Sequence, residues 1–251
     1  MYSGTVPHIS QAINMNYKTE KEFLSLYDAS EFESPLVTVD LCIFTLIDKD
    51  LKVLMVKRNS FPEMGKLALP GGFIDLNSDS NIEETALRKL LNKTGVKSPY
   101  LEQVSTIGNK SRDPRGWSVT TLYFALLPYV DVIKSNQFGD EVQWLSMEDV
   151  AISSMAFDHK ELIHLARERL ANKVSYTDIG FHVLPQKFTL SQLQKAFEIL
   201  MDHKLEKKSF RRRMMAADLV QELDEVSAER GRPAALYKAK SKQPYFFARS
   251  L

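Results

Sequence analysis

The chain is poor in cysteine: its 251 residues include one, Cys42, inside an apolar run. A single thiol closes no intrachain disulfide and builds no cysteine-based zinc site, so a reducing, cytoplasmic setting is expected. Histidine is scarce too, at positions 8, 159, 164, 182 and 203. His159 and His164 are five apart on an expected helix, which suits a shared metal badly. They read as solvated or helix-end residues, and no metal site is expected. No uninterrupted apolar stretch reaches the ~18 residues of a membrane span. The best candidate, 36–47, contains Asp40. The start, MYSGTVPHIS, lacks the basic and apolar regions of a signal peptide. Net charge is nearly absent as well: 33 basic against 32 acidic residues leave +1. Taken whole, that balance supplies no field to draw in a polyanion.

The length favours two ordinary domains. Hydrophobic residues at 44% and charged residues at 26% match a soluble globular protein whose halves can each bury a core. Counted by segment, the charge is not neutral. Residues 173–251 hold 15 basic and 9 acidic residues, a net of +6. Residues 1–172 hold 18 and 23, a net of −5.

The first half reads as mixed α and β. Residues 17–28 form a short amphipathic stretch with Phe23, Leu24 and Tyr27 on its apolar side. Leu36–Ile47 is nearly continuous in apolar and β-branched residues, as in a buried strand. Leu51–Lys57 follows a turn at Asp48-Lys49-Asp50, so the two strands predict a hairpin. Pro70-Gly71-Gly72 breaks the chain. Ile82–Thr94 is expected to be helical, with Ile82, Ala86, Leu90 and Leu91 on one side and Gly95 as its stop. Strands are expected at 100–107, 118–127 and 142–145, and a helix at about 158–171.

In the second half, Thr189 and Gln192 form a T-x-x-Q capping box ahead of Leu193, Phe197, Leu200 and Met201. A second helix is expected from near Ser209, with Ser209 as its N-cap and Phe210, Met214 and Ala217 facing inward. Two short apolar runs follow, Leu219–Val226 and Ala234–Ala239, around Arg230-Gly231-Arg232-Pro233. Helix, turn, basic helix and basic-tipped hairpin is the order of a winged helix-turn-helix.

Leu69-Pro70-Gly71-Gly72-Phe73-Ile74-Asp75, with Ile82–Val96 after it, looks like a Nudix box, G-x5-E-x7-R-E-U-x-E-E-x-G-U, where U is aliphatic. Gly72, Arg88, Leu90, Gly95 and Val96 fit. The spacing from Gly72 to Arg88 is two residues too long. The three glutamates of the core are replaced by Lys89, Asn92 and Lys93, and the earlier glutamate position holds Ser80. In Nudix hydrolases clustered carboxylates hold Mg²⁺, which polarises the pyrophosphate and activates water. An amide and ammonium groups do not replace them, so metal-dependent hydrolysis is expected to be absent or weak. Asp75, Asp79, Glu83 and Glu84 remain as acids for a weak site.

The means to bind a phosphorylated ligand survive. Glycines let backbone N–H groups approach a phosphate, and Arg58, Arg88 and Lys93 offer positive charge. Arg88 reads first as a structural ion pair within the box loop and Lys93 as a solvated helix end, while Arg58 divides between ligand and surface. Asp113-Pro114-Arg115-Gly116, ahead of Trp117, resembles a turn common in Nudix proteins that handle ADP-ribose-like ligands; an ordinary Pro-Gly loop is the alternative. Trp117 suits adenine stacking or plain packing, and Trp144 reads as structural.

Between Lys204 and Arg213 lie six basic residues and one acid. In a helix-turn-helix the start of the recognition helix meets base edges while its flanks touch phosphate. Arginine pairs bidentately with guanine, and lysine acts as a phosphate point charge. Lys204, Lys207, Lys208, Ser209, Arg211, Arg212 and Arg213 are the candidate DNA contacts. Arg230 and Arg232 on the wing would suit a narrow minor groove.

In combination and order these features resemble Nudix-related transcriptional regulators of NAD metabolism, the NrtR type. The resemblance covers nearly the whole chain, from Tyr27-Asp28-Ala29 and Val37-Thr38-Val39-Asp40 to Phe210-Arg211-Arg212-Arg213 and Gly231-Arg232-Pro233. It implies an α/β (α+β) Nudix fold, a mixed sheet sandwiched by helices, followed by a winged helix-turn-helix. The expected divisions are an effector domain at 1–157, a connecting helix at 158–172 and a DNA-binding domain at 173–251. The resemblance further implies a bacterial, cytoplasmic, homodimeric repressor of NAD-biosynthesis genes. Its operator would be double-stranded and palindromic, and ADP-ribose or a related nucleotide would be its effector. Effector contacts are placed around Arg58, Gly71, Gly72, Asp75, Arg88 and Arg115, with no catalytic residue and no required cofactor. The rivals are an active ADP-ribose pyrophosphatase with an accessory basic domain, a regulator responding to a sugar such as arabinose, and a non-specific nucleic-acid binder.

Overall fold

A computed structural model describes residues 17–31, 33–97, 100–129, 142–227, 233–240 and 244–251. Residues 1–35 and 36–251 form two units. In the first, α1 (Glu20–Leu26) is capped by Thr19, whose side chain accepts from the Glu22 N–H. Tyr17 meets Phe23 edge to face and Phe23 meets Tyr27 at a tilt, with centroids 5.1 and 5.4 Å apart.

The second unit is built on a seven-stranded mixed sheet. β1 (Leu36–Ile47) turns at Asp48 and Lys49, both left-handed, into β2 (Asp50–Lys57). β3 (Leu67–Ala68) and β4 (Gly71–Phe73) are short. They precede α2 (Ile82–Thr94), the box helix, which ends at Gly95 in the left-handed region as the sequence predicts. β5 (Tyr100–Asn109) and β6 (Ser118–Leu126) come next, then β7 (Val142–Ser146) and α3 (Met147–Ile152). The spatial order is β3-β2-β1-β6-β5, with β4 also on β1 and β7 also on β2. The β1–β6 pairing is parallel and the others are antiparallel. β1 is thus a central strand, which is why its apolar run barely alternates: both faces are covered.

One face packs Val39, Leu41, Ile43 and Leu54 against Ala86 and Leu90 of α2. Ile82, expected on that inner side, is 39% exposed. The other face packs Phe44, Val53, Met55 and Phe124 against α4 (His159–Tyr176). This helix runs five residues beyond the expected end at Ala171. Its core continues without a break into the winged helix through Leu170, Val174, Phe188, Phe197, Phe210 and Met214. Burying a ring such as Phe197 contributes about 1.5–3 kcal/mol.

The winged helix opens with a 3-10 turn, Ile179–Val183. α5 (Leu190–Met201) carries the expected Thr189–Gln192 capping box. α6 (Lys207–Ala216) begins two residues before the expected Ser209. Its N-cap is Glu206, whose carboxylate accepts from the N–H groups of Lys208 and Ser209. Ser209 is therefore not the N-cap, contrary to the sequence expectation, and its N–H is already bonded to Glu206 within the helix start. β8 (Val220–Val226) and β9 (Ala235–Ala239) form the hairpin. A terminal segment absent from the sequence reading then lies on the end of α4, where the Phe247 and Leu251 N–H groups donate to the Tyr176 and Ser175 carbonyls. None of the described helices is long and apolar enough to cross a membrane.

Candidate effector cavity and nucleic-acid surface

Two glycines shape the effector cavity. β4 pairs with β1 so closely that a Cβ on Gly71 would lie 2.4 Å from the Val39 carbonyl oxygen and 2.6 Å from Asp40 Oδ1. Gly72 has φ +133°, which side-chain-bearing residues rarely adopt. Beside this bare backbone lies a cavity of about 240 Å³, lined among others by Arg58, Gly71, Gly72, Phe73, Arg115 and Phe157. Four of the six expected effector residues, Arg58, Gly71, Gly72 and Arg115, therefore share one wall system.

Both arginines are held in place. Arg58 Nε donates to the Pro62 carbonyl at 2.9 Å, and its guanidinium lies 4.8 Å from the Phe157 ring centroid. Burial lowers the Arg58 pKa, and the neighbouring Arg115 lowers it further. Arg115 makes a two-point contact with Asp113, at 3.0 and 2.6 Å, and lies 5.1 Å from the Phe73 ring centroid. The Arg115 hydrogen bonds hold the Asp113 carboxyl below its usual range. Two cations facing one small cavity repel each other, so an anion entering between them relieves that repulsion.

Asp75 and Arg88 do not line the cavity. The Asp75 carboxylate accepts the Asn77 N–H, closing a turn. Arg88 grips Asp79 with two donors, and Asp79 also accepts from the Thr85 hydroxyl and the Asp75 N–H. Arg88 thus takes the structural alternative, an ion pair that closes the lengthened box loop.

The cavity floor holds residues that the sequence reading did not single out as site residues. Arg112, nearly fully buried, donates to Ser118 Oγ at 2.8 Å and Asp40 Oδ2 at 3.2 Å, and to both Asp158 oxygens at 3.0 and 3.1 Å. His159 is not a solvated helix-end residue as expected: it is 4% exposed. Its Nδ1 accepts the Leu69 N–H at 2.8 Å, and its Nε2 faces Asp40 Oδ1 at 3.6 Å. Burial lowers its pKa and favours the neutral ring, with the proton on Nε2. Asp158 is the N-cap residue of α4 yet makes no capping bond; its carboxylate is committed to Arg112. These polar ties are invisible to periodicity, because their partners lie up to 119 positions apart.

Lys89, Asn92 and Lys93 hold the glutamate positions, Asp79 is engaged by Arg88, and Glu84 accepts the Ser80 N–H. Among the described residues no group of three His, Cys, Asp or Glu side chains is placed to hold a metal ion.

On the winged helix, Lys204, Lys207, Lys208 and Arg212 are exposed. Arg211 is half-buried and donates to Ser191 Oγ at 3.1 Å. Arg213 has another partner: its guanidinium donates to the Ser250 carbonyl at 2.7 Å and to the Arg249 carbonyl, and it lies 5.5 Å from the Phe247 ring centroid. Arg230 and Arg232 lie outside the described residues.

Comparison with known proteins agrees with both halves. Residues 37–166 match the NUDIX domain model, and residues 180–239 match the model of the NrtR DNA-binding winged helix domain. The ADPR responsive transcriptional repressor NtrR of Acinetobacter baylyi is 44% identical over 227 residues, 90% of this chain and 91% of that protein. The chain belongs to the NrtR family of Nudix-related regulators. Crystallised Shewanella oneidensis NrtR in complex with a 27mer DNA aligns with TM-score 0.80 and 45% identity, over 86% of this chain and 99% of that one. The NUDIX domain of that NrtR with ADP ribose aligns with TM-score 0.55 and 50% identity, over 61% and 99%. An enzyme is related through the first half alone: the ADP-ribose pyrophosphatase of Methanocaldococcus jannaschii is 30% identical over 129 residues, 51% of this chain and 71% of that one.

Proposed function

We propose that this chain is a homodimeric transcriptional repressor of NAD-biosynthesis genes that releases its operator when ADP-ribose fills the cavity beside Gly71 and Gly72. One observation carries the reading: the cavity floor and the helix-turn-helix are bonded to the same helix. At its start, α4 is tied to the floor through Asp158–Arg112 and His159–Leu69. Two turns further on, Arg167 donates to the carbonyls of Ile199 and Leu200, the last turn of α5. A ligand that moves Arg112 or Phe157 would therefore pull on the element that seats α5 and α6.

Ligand size agrees. A volume of 240 Å³ is below that of an ordinary small-molecule site, but a concavity of about 580 Å³ shares Arg112, Asp113 and Phe157 with it. The pair suits an extended nucleoside diphosphate sugar with its diphosphate near the arginines.

For DNA, the exposed Lys204, Lys207, Lys208 and Arg212 are assigned as contacts, with Arg211 partly available. Arg213 is reassigned to holding the terminal segment. In a two-fold dimer the two α6 helices would sit about 34 Å apart on successive major grooves. Ligand must favour the released arrangement by a few kcal/mol to empty the operator.

The chain acts without hydrolysing its ligand, since the carboxylates that would hold a metal are replaced. A gel-shift titration on DNA upstream of NAD-biosynthesis genes tests the reading. Retarded DNA should be freed by ADP-ribose but not by arabinose. Unchanged retardation at saturating ADP-ribose refutes the switch, and equal competition by random DNA refutes operator recognition. Phosphate release from ADP-ribose with Mg²⁺ and a phosphatase should stay at background.

A further inference from the structure

The segment 244–251 is fastened at two places that belong to different elements. The first is the end of α4. The Tyr245 N–H donates to Asp178 Oδ1 at 2.9 Å, and the Asp178 N–H donates to the Tyr245 carbonyl at 3.2 Å. Phe246 forms an antiparallel bridge with Thr177, and the Phe247 and Leu251 N–H groups donate to the Tyr176 and Ser175 carbonyls, each at 2.8 Å. The last carbonyls of a helix have no partner within it, so these donors complete the end of α4. The Phe246 ring centroid lies 5.5 Å from the Lys173 ammonium, which pairs with Glu102 of β5 at 3.2 Å. The segment is thus seated on a residue that the effector half also holds.

The second place is α6. Arg213 donates to the Ser250 and Arg249 carbonyls, and its guanidinium lies 5.5 Å from the Phe247 ring centroid. Phe247 is 9% exposed and belongs to the same core as Phe210 and Met214 of α6. Among the described residues, the side-chain hydrogen bonds from α6 to other elements run to Ser191 of α5 and to this segment. The acceptors in the segment are backbone carbonyls, so the tie depends on the path of the chain and not on the side chains of Arg249 and Ser250.

We propose that residues 244–251 act as a strap that fixes the recognition helix α6 against the end of α4, with Arg213 as the positioning residue, and that tight operator binding requires it. The proposal rests on the operator reading above and adds to it a part that works without touching DNA. A recognition helix must present its first residues to base edges at one angle. A helix left free to tilt loses that freedom on binding, and the loss subtracts from affinity. The strap removes the freedom beforehand. It also joins α4 to α6 without passing through α5, whose last turn Arg167 holds separately. Phosphate contacts are untouched by the tie between Arg213 and the strap, so that tie sets affinity and not its salt dependence.

Fluorescence anisotropy of labelled operator DNA with the full chain tests this across a salt series, for wild type, Arg213→Met, deletion of 244–251, and the two combined. Arg213→Met should weaken operator binding about fivefold, the loss of one charge-assisted tie, with the slope of log affinity against log salt unchanged. The deletion should weaken it about tenfold or more. The combination should be no more than about twofold weaker than the deletion alone, because both remove the same tie. Arg249→Ala keeps its carbonyl and should bind within about twofold of wild type. If the deletion lowers helix content in circular dichroism, the Arg213→Met salt series alone decides. Arg213→Met or the deletion binding within about twofold of wild type overturns the proposal. So does a salt slope lowered by about 1 in Arg213→Met, or a further loss of about fivefold when it is added to the deletion, because Arg213 would then be a DNA contact. Wild type that binds the operator no better than random DNA removes the operator reading itself, and this proposal with it.

Discussion

The candidate effector cavity is lined by three arginines and the basic face of α6 by lysines and arginines, and the two use that charge in opposite ways. Around the cavity the guanidiniums are tied down before any ligand arrives: Arg112 to Asp40, Asp158 and Ser118, Arg115 to Asp113, Arg58 to the Pro62 carbonyl. On α6 and the turn before it, Lys207, Lys208 and Arg212 extend into solvent, and Lys204 reaches only a loose pair with Glu198 at 3.7 Å. Fixed charge selects one small anion, because little side-chain freedom is lost on binding. Mobile charge suits a polyphosphate backbone, where counterion release drives association and geometry varies along the groove. The near-neutral chain total conceals this division between an acidic, preorganised half and a basic, exposed one.

That contrast can be broken most sharply at Arg112. Arg112→Leu would leave the buried Asp40 and the half-buried Asp158 without their cation, at a cost of about 3–5 kcal/mol in urea denaturation. A loss under 1 kcal/mol would mean that the floor is not held by this ion cluster. On the DNA side, Arg212→Ala should cost about 1–3 kcal/mol of operator binding if it reads a base, with folding unchanged. Lys207→Ala and Lys208→Ala should each lower the slope of log affinity against log salt by about 1, uniformly across sequences. Arg213→Ala separates the two roles at neighbouring positions. It should cost about 1 kcal/mol of stability, through loss of its hold on the terminal segment, and leave the salt slope unaltered. A large fall in operator affinity without a stability change would return Arg213 to the DNA surface.

The smallest expected effect is on pH dependence. The Arg88 hydrogen bonds hold Asp79 well below the usual carboxylate range. A depressed carboxyl stabilises the fold above the unfolded aspartate range, and that stability is lost as pH falls through the folded value. Denaturation of wild type and Arg88→Met between about pH 2 and pH 6 should show a shallower acid fall in the variant. Equal slopes would mean that this pair does not couple folding to protons.

Much of the fold is legible in the chain because local rules act there without competition. The run Leu36–Ile47, the Gly95 stop and the Thr189–Gln192 box each name their own element. The start of α6 misleads because serine is the commoner cap, yet Glu206 folds back on two N–H groups and moves the helix start to Lys207. Three cavity residues, Gly71, Gly72 and Arg115, follow from the box and the Asp113–Gly116 turn, and Arg58 follows as a charge at the end of β2. Arg112, Asp158 and His159 do not, since each works through a partner far away in the chain. Leu69, which meets His159, is 90 positions distant. The fate of Arg88 was open for a related reason: the charge is evident in the sequence, but its partner Asp79 exists only once the lengthened loop closes.

The central claim is that cavity and DNA surface are coupled through α4. The direct measurement is a linkage cycle: operator affinity with and without saturating ADP-ribose, and ADP-ribose affinity with and without operator. Coupling is reciprocal, so the account predicts that each ligand weakens the other by the same factor, about tenfold or more. A factor of one on both arms, with both ligands bound, would contradict it.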